Sequence, residues 1–548
     1  MPDKTGPARP RGLNLFYVSL PFCAAIAAWG IADPDSLGES TEALTSTSFR
    51  ALDWFFMLSV SAFVILALWL AFGKYGKLKL GRPEDEPEFS TASWIAMLFS
   101  AGMGVGLLFW GVAEPLTHFM HPPVGEAGTV ESARQAMNIT NFHWGLHAWA
   151  CYGIGALVLA YFGFRRGTPY LAGAPIRSVF SGRWVGPVAY AADLIAILAV
   201  AFGVAGSIGM GIFQLKTGLH VVAGTPNDAS WVPWAILVVL VISYMTSAAT
   251  SLDKGIKWLS NINMVLALLL LGFMLFAGPT PFLLRTVVTS LSDYIAALPQ
   301  MSLQMHPYQG EAVEGWLHGW TLTYFIWWIA WAPFVGIFIA RISKGRTIRE
   351  FILGVLFAPT LFSIIWFGVF GGTGFYEDLF GAGGVGQMVQ ENLTVALFSL
   401  FDRLPMSGVL GVVTLFLLFV FLVTSVDSAT FVLGMLTSKG SLNPPTSRKI
   451  GWGLILGALG AALMLSGNIY AVRAAAVSGA IPFVFILLIQ VSALFKALAA
   501  DTAAGETVDQ PPPKTRRSRS ALSQIPDGPA TTEVPPPDMA VPGKEGGL

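Results

Sequence analysis

Long apolar segments separated by short polar ones follow one another along almost the whole chain. Because about 20 apolar residues are needed to cross roughly 30 Å of hydrocarbon, each segment of that length predicts a membrane-spanning helix. Twelve segments qualify: 13–33, 51–73, 91–116, 137–163, 186–217, 231–250, 257–278, 315–341, 348–370, 407–435, 449–467 and 472–497. The pattern therefore predicts an all-α integral membrane protein with twelve transmembrane helices.

Composition supports a membrane protein and excludes several other classes. Of the 548 residues, 54% are hydrophobic and only 12% are charged, whereas a soluble domain has roughly 25% charged residues. So few charges would not cover the surface of a soluble enzyme, a nucleic-acid-binding protein with a basic face, or a disordered scaffold. Both cysteines, Cys23 and Cys151, lie in apolar segments, so we expect neither a disulfide framework nor a thiolate metal site.

Lysine and arginine positions predict the orientation, because these residues are retained on the cytoplasmic side. With a cytoplasmic N-terminus, only six of the 32 fall in outside segments: Arg50, Arg134, Lys216, Arg285, Arg403 and Arg473. The first apolar segment follows a basic stretch but lacks a small-residue cleavage site, so we interpret it as a retained helix and not a signal peptide. We therefore predict a multi-pass protein of the plasma (inner) membrane with both termini in the cytoplasm.

A long outer segment, 279–314, divides the last ten predicted helices into two sets of five. Apolar residues at helical spacing over 283–298 predict a helix at the membrane surface there. Two sets of five, each opening with an unusual helix, are typical of inverted repeats with a site between them at the midplane. The chain accordingly divides into a cytoplasmic N-terminal tail (1–12), two additional transmembrane helices (13–73), a first five-helix repeat (91–278), the outer segment (279–314), a second five-helix repeat (315–497) and a cytoplasmic proline-rich tail (498–548) that we expect to be disordered.

Three glycines, Gly102, Gly104 and Gly106, interrupt the third predicted helix. Each costs about 1 kcal/mol relative to alanine in a helix interior, so the segment favours local unwinding. An unwound segment at membrane depth can line a cavity, where its carbonyl oxygens can bind a cation. Gly102 and Gly106 also have the spacing of a helix-packing face, and both interpretations remain open.

Aromatic residues are concentrated near the middle of two predicted helices: Trp144, Trp149, Tyr152, Trp327, Trp328 and Trp331. At ~100° per residue the first three share one face of their helix. An interfacial belt does not explain tryptophans at mid-membrane depth. Helix packing is one explanation; the other is an aromatic cage, whose ring faces attract a quaternary ammonium without a buried carboxylate.

Two hydroxyl-bearing residues, Thr424 and Ser425, lie in the segment 407–435 with Asp427 close behind. Hydroxyl oxygens are hard ligands that suit a hard cation, although such residues in a membrane helix also bond back to their own backbone. Asp427 is a functional candidate as an intramembrane acid, and a salt bridge to a cytoplasmic arginine is equally consistent with its position. His143 and His147 lack an acid or cysteine at ligand spacing, and no catalytic motif is visible, so we predict neither a transition-metal site nor an enzyme.

Three stretches resemble the betaine/choline/carnitine transporter family, and its glycine betaine members most closely. They read GMGVGLLFWGVAEP at 102–115, FHWGLHAWACY at 142–152 and WTLTYFIWWIAWAPFVGIFIARISKGRTIREF at 320–351. The resemblance covers roughly residues 13–497. It implies the fold of the sodium-coupled amino-acid symporters, with two additional helices before the repeats, and a homotrimer.

The resemblance also implies roles for individual residues. The cage would consist of Trp144, Trp149, Tyr152 and Trp328, with Trp327 and Trp331 on the substrate path. Gly102, Gly104 and Gly106 are predicted to belong to the substrate-binding residues as well. A sodium ion would be bound by carbonyl oxygens of Ser100, Met103 and Phe421 and by the hydroxyls of Thr424 and Ser425.

Four positions depart from patterns found within this family. Choline-type, proton-coupled members tend to have aspartate where this chain has Gly106, and sodium-independent exchangers have methionine at the position of Val335. The first departure favours a zwitterionic substrate, and the second leaves the sodium site open. Sodium-coupled members often have threonines near Val200 and Val204 for a second ion; the valine side chain has no ligand atom, so the sequence leaves the second sodium site and the ion stoichiometry open.

These observations predict a sodium-coupled symporter that imports a betaine-like osmolyte by alternating access. Dimethylsulfoniopropionate, choline or carnitine is the alternative substrate, with proton coupling or exchange as the alternative mechanism. A non-transporting sensor or an enzyme on the same scaffold is less consistent with the residues. We expect no cofactor besides the coupling ion, and partners limited to the onium substrate, membrane lipid and further copies of the chain, with no nucleic acid.

Overall fold

The computed structural model describes residues 14–102, 104–250 and 253–503. These residues form helices joined by loops, with a single isolated β-bridge between Lys79 and Thr347. The α-helices are α1 Leu15–Ala32, α2 Pro34–Phe72, α3 Thr91–Gly102, α4 Val105–Met120, α5 Val130–Trp144, α6 Leu146–Ala160, α7 Ala174–Val179, α8 Val185–Ala223, α9 Trp231–Thr250, α10 Asp253–Ala277, α11 Thr280–Met301, α12 Glu311–Leu317, α13 Thr323–Ile342, α14 Ile348–Phe380, α15 Val385–Glu391, α16 Ala396–Phe401, α17 Ser407–Thr437, α18 Thr446–Leu465, α19 Ile469–Ser478 and α20 Ile481–Ala503. Two π-helical turns, Tyr161–Arg165 and His318–Leu322, extend α6 and join α12 to α13, and Leu393–Val395 is a 3₁₀ turn.

Within the described residues, eleven helical segments are long and apolar enough to cross a membrane. The predicted third span does not appear among them because it is divided into α3 and α4, of 12 and 16 residues. The protein is therefore an all-α, multi-pass membrane protein. The twelve crossings and the inverted repeat of five helices stay predictions.

The predicted outside loop between the first two spans, residues 34–50, is helical. The helix α2 begins at Pro34, where the Asp33 carboxylate accepts the N–H of Ser36 at 3.1 Å, and it kinks at Leu52 (φ −135°, ψ 17°). Its first half packs against α19, where the Thr45 hydroxyl donates to the carbonyl of Ala474 at 3.3 Å. Tertiary packing thus keeps a polar segment helical that hydropathy alone places in a loop.

The outer segment contains the predicted helix over 283–298, which the structure confirms as part of α11. Two hydrogen bonds from the Arg134 guanidinium, at 2.5 and 2.6 Å, fasten it to α5 through Asp293 and lower the pKa of that carboxyl. The hydroxyl of Tyr294 accepts the N–H of Leu146 at 2.9 Å. The helix α11 is therefore attached to both sides of the α5–α6 junction; its location at the membrane surface stays a prediction.

The predicted terminal tails lie almost wholly outside the described residues. Residues 1–12 are not described, and the chain is described as far as Ala503, the end of α20. The first residues of the predicted C-terminal tail are therefore helical. An ion pair between Arg166 and Asp501 joins the end of α20 to the segment that follows α6.

The helices that carry the candidate residues pack against one another in the interior. Contacts join α13 to α6 and α8, and α17 to α8 and α4. Because α4 and α17 carry the glycine segment and the Thr–Ser pair while α5, α6 and α13 carry the aromatic residues, the packing brings the two sets together.

Candidate functional site

A cavity of about 690 Å³ lies among these helices. Its lining includes ten of the residues selected from the sequence: Gly104, Gly106, Trp144, Tyr152, Trp327, Trp328, Trp331, Phe421, Thr424 and Ser425. The glycine segment, the aromatic residues and the hydroxyl pair, which are far apart in sequence, therefore face one space.

The glycine segment breaks the helix, as its composition predicts. The helix α3 ends at Gly102 and α4 begins at Val105, with Gly104 between them in a non-helical conformation (φ −147°, ψ −144°). Gly106 serves close packing, since a Cβ there would stand 2.9 Å from Cη2 of Trp144. Met103 lies outside the described residues, as do the side chains of residues 100–102, so the predicted roles of Ser100, Gly102 and Met103 stay predictions.

The close approach at Gly106 leads to a first prediction. In Gly106→Ala the new methyl group must displace the Trp144 ring. Overpacking costs roughly 1–3 kcal/mol, and the displaced ring must return to its place in the cage when the substrate binds. Because about 1.4 kcal/mol is a factor of ten in affinity, we expect glycine betaine, the predicted substrate, to bind about tenfold more weakly. Fluorescence titration of the purified protein would measure this. Gly272→Ala in α10 is the matched control, because its Cβ would meet open space; equal affinity in both variants would contradict the role of the contact.

Trp328 stands at the centre of the aromatic group. Its ring packs edge to face with Trp144 (5.0 Å between centroids, 81°) and with Tyr152 (5.6 Å, 89°). Its indole N–H donates to the carbonyl of His143 at 2.8 Å. That carbonyl is available because α5 ends at Trp144, and the last carbonyls of a helix lack intrahelical partners. Rings at right angles form a concave corner whose faces can contact one cationic group.

The remaining aromatic candidates have different positions. Trp149 is buried but absent from the cavity lining, and its ring packs against Tyr152 at 5.6 Å and 82°. Trp149 thus contacts a cage residue without lining the cavity, and the break at Gly145 (φ −94°, ψ −141°) interrupts the continuous helix that the predicted shared face of Trp144, Trp149 and Tyr152 assumes. Trp327 and Trp331 line the cavity. Within the described structure the buried indole N–H of Trp327 has no hydrogen-bond partner, which leaves a donor near the cage.

An acid that sequence reasoning did not select, Glu114, holds the cage together from outside the cavity. Its side chain is fully buried. Oε2 accepts the indole N–H of Trp144 at 2.7 Å and the hydroxyl of Tyr324 at 2.5 Å. Tyr324 also lines the cavity and was likewise missed. The sequence contains one indication of its importance: Glu114 is an acid within a predicted transmembrane segment, and such an acid is a functional candidate by default.

Histidines and an arginine complete the buried network around Glu114. Oε1 of Glu114 lies 2.7 Å from Nδ1 of His143, whose Nε2 lies 2.9 Å from the hydroxyl of Thr321. The guanidinium of Arg473 lies over the Tyr324 ring at 5.5 Å. The possible ligand atoms of Glu114, His118 and His143 lie within 4.8 Å of one another. Because both Glu114 oxygens and both His143 nitrogens already have hydrogen-bonding neighbours, the geometry fits a polar network better than a metal site.

The hydroxyl pair lies beside the broken helix. The Thr424 hydroxyl donates to its own backbone, at 2.9 Å from the carbonyl of Val420 and 3.2 Å from that of Phe421, as the alternative interpretation predicts. A hydroxyl that donates to the backbone retains its lone pairs. The Ser425 hydroxyl lies 4.0 Å from the position that a Cβ of Gly104 would occupy. Hydroxyl oxygens beside an unwound backbone fit a hard cation such as sodium.

Two of the three valines that depart from the family patterns line the cavity. These are Val335 and Val204, whereas Val200 is buried and absent from the lining. Asp427 is part of the lining as well. Charged residues from segments predicted to be cytoplasmic, Glu88 and Arg341, line the same cavity, so it extends from the aromatic residues toward the predicted cytoplasmic side.

Known transporters are similar in sequence to this chain over most of its length. The betaine/carnitine/choline family transporters (BCCT) match over residues 14–503. The glycine betaine transporter OpuD of Bacillus subtilis is 43% identical over 492 residues, covering 89% of this chain and 94% of the relative. An ectoine/hydroxyectoine transporter of Virgibacillus pantothenticus is 41% identical over 487 residues (88% and 96%). A glycine betaine transporter of Acinetobacter baylyi is 39% identical over 516 residues (93% and 77%).

Proposed function

Because this chain belongs to the betaine/carnitine/choline transporter family, we propose that it imports glycine betaine across the plasma (inner) membrane by sodium-coupled symport. It is a transporter and not an enzyme, and its substrate is a small molecule. The observation that carries the proposal is the single cavity shared by the cage around Trp328 and the hydroxyl pair Thr424–Ser425.

The cage fits the trimethylammonium head of the substrate. A quaternary ammonium has no hydrogen-bond donor, so ring faces bind it better than polar side chains do. The rings of Trp144 and Tyr152 each meet the ring of Trp328 nearly at right angles and form a concave corner for this head group. The indole N–H of Trp327, which has no hydrogen-bond partner among the residues that the structure describes, would donate to the carboxylate of a zwitterion. Ectoine is a second candidate, favoured by the ectoine/hydroxyectoine relative, because it too combines a cationic group with a carboxylate.

The cation site would couple substrate binding to a change of conformation. The Thr424 and Ser425 hydroxyls on α17, with backbone oxygens near Gly104, would bind sodium between two helices that must approach each other. A ligand that contacts both helices favours the closed arrangement. The cavity lining includes Glu88 and Arg341 from predicted cytoplasmic segments, so we infer that this conformation opens inward. We further propose a homotrimer with both termini in the cytoplasm, as the family resemblance implies.

Uptake into proteoliposomes tests this function. Radiolabelled glycine betaine and ectoine would be supplied in separate experiments, with an inward Na⁺ gradient and with K⁺ replacing Na⁺. We expect betaine to accumulate only with Na⁺. Equal uptake with K⁺ would contradict sodium coupling and make proton coupling or exchange the leading mechanism. Accumulation of ectoine alone would contradict the betaine assignment while retaining the symport mechanism.

A further inference from the structure

The buried carboxylate of Glu114 contacts the cage without lining the cavity. We propose that Glu114 is a positioning residue of the onium site. Its carboxylate fixes Trp144 and Tyr324, and its charge gives the cage the negative potential that distinguishes a cationic head from a neutral head of the same shape. This inference rests on the proposed function, because it concerns how the same site recognises its substrate.

One carboxylate links three helices at this point. Glu114 belongs to α4, and its Oε2 accepts hydrogen bonds from Trp144 at the end of α5 and from Tyr324 in α13. The two rings lie 5.8 Å apart, and Trp144 lies 5.0 Å from Trp328. Rotation of the Trp144 indole would break its hydrogen bond to Glu114. The acid therefore determines the orientation of one cage wall directly and of its neighbour through ring packing.

Two donors converge on one oxygen of Glu114 and a histidine nitrogen lies beside the other, an environment that suits a carboxylate anion. Oε2 accepts from two donors, the indole N–H of Trp144 and the hydroxyl of Tyr324. Oε1 lies 2.7 Å from Nδ1 of His143, which donates to it in the tautomer that carries its proton there. Hydrogen bonds to an ionised acceptor are roughly twice as strong as those between neutral groups. A donor bonded to an anion becomes more electron-rich, so the Trp144 ring presents a more negative face to a bound cation.

The neighbouring charges make this contribution necessary. The Arg473 guanidinium is buried and lies over the rings of Tyr324 at 5.5 Å and Trp320 at 4.7 Å. Its positive charge is in contact with a ring that also faces the cage. Electrostatic interactions weaken slowly with distance in a low-dielectric interior, so without Glu114 the arginine would repel an onium head. His118 and His143 are the other titratable groups of the network.

A purely structural role for Glu114 makes a different prediction from an electrostatic one. Loss of a structural support would weaken the binding of all ligands that fill the cage. Loss of negative potential would weaken only the binding of a cationic head. Glycine betaine and 3,3-dimethylbutanoate form a suitable pair of probes, because the second replaces the cationic nitrogen with carbon and keeps the shape and the carboxylate.

The experiment measures both affinities on purified full-length protein by calorimetry, in wild type and in Glu114→Gln. The ratio of the two dissociation constants reports selectivity for charge. A desolvated cation–π contact contributes about 2 kcal/mol, or about 30-fold in affinity. We therefore expect the preference for betaine over the analogue to fall at least about tenfold in the variant, mainly through weaker betaine binding. An unchanged ratio, or equal weakening of both ligands, would overturn the electrostatic role.

Asp193→Asn provides the matched control for removal of a buried acid. Asp193 is buried away from the cavity, where it accepts the N–H of Gly173 at 2.6 Å and a hydrogen bond from Arg177 at 2.9 Å. We expect this variant to keep the wild-type ratio. If Glu114→Gln fails to fold, Glu114→Asp tests the same idea, because it keeps the charge while withdrawing it from Trp144. It should bind both ligands more weakly and keep selectivity; a collapse of the ratio in Glu114→Asp would contradict the proposal.

The wild-type protein separates this inference from the proposed function. If wild type binds betaine no better than 3,3-dimethylbutanoate, whose head group is uncharged, or binds neither, the onium assignment itself fails. If wild type selects betaine and Glu114→Gln retains that selection, only the role of Glu114 fails.

Discussion

Replacing Trp328 with leucine is expected to abolish glycine betaine uptake while leaving membrane insertion intact. The indole face is lost at the corner where Trp328 meets Trp144 and Tyr152, and a desolvated cation–π contact contributes about 2 kcal/mol. The hydrogen bond to the carbonyl of His143 is also lost, at about 1 kcal/mol. Together these changes predict a dissociation constant about 100-fold higher.

Uptake in proteoliposomes and calorimetry on the same preparation would measure the two consequences separately. Trp231→Leu is the matched control, because this tryptophan at the start of α9 is 63% exposed and absent from the cavity lining. It should transport as wild type does. Wild-type betaine affinity in Trp328→Leu would refute the cage, and loss of both variants from the membrane fraction would indicate a folding defect unrelated to the site.

Hydropathy predicts most of the helices because crossing a membrane requires a long apolar segment. The glycine spacing also correctly indicates the break between Gly102 and Val105. Hydropathy does not predict the first half of α2, because polar residues such as Glu39 and Glu42 are typical of a loop. The chain is helical there because it packs against α19, which is a tertiary interaction with no local signal.

The arrangement of the cage residues likewise depends on tertiary contacts that the sequence does not reveal. Helical periodicity placed Trp144, Trp149 and Tyr152 on one face by assuming a continuous helix. The chain breaks at Gly145, where a Cβ would stand 2.4 Å from the hydroxyl of Tyr294 in α11. A contact with a residue so distant in sequence cannot be inferred from local spacing. The break changes the direction of Trp144 relative to the residues of α6; Trp144 and Tyr152 line the cavity, and Trp149 packs against Tyr152 outside the lining.

Glu114 was missed for a related reason. The interpretation of the tryptophans treated a cage as sufficient without a buried carboxylate, and the acid lies in a different predicted helix from the aromatic residues. Only the packing of α4 against α5 brings Glu114 within hydrogen-bond distance of Trp144. The structure therefore changes the chemistry of the predicted site, because an acid and Arg473 flank rings that the sequence suggested would act alone.

The double variant Thr424→Val, Ser425→Ala is expected to eliminate the sodium dependence of both uptake and betaine affinity. It removes two hydroxyl oxygens from residues that line the cavity, that of Ser425 beside Gly104, with little change in volume. Binding linkage makes the prediction quantitative: if Na⁺ raises the affinity for betaine by some factor, the variant loses that factor. Its betaine affinity measured in K⁺ should equal that of wild type, because the cage is unchanged.

Thr414→Val is the control that separates the cation site from a general effect of removing a hydroxyl from α17. Thr414 is buried on the same helix, about 15 Å away at 1.5 Å per residue, and within the described structure its hydroxyl has no hydrogen-bond partner. It should retain full sodium dependence. A double variant that still responds to Na⁺ would place the coupling ion elsewhere. Weaker betaine binding in K⁺ would instead show that Thr424 and Ser425 contribute to the substrate site, which would make the cage and the hydroxyl pair one site rather than two coupled ones.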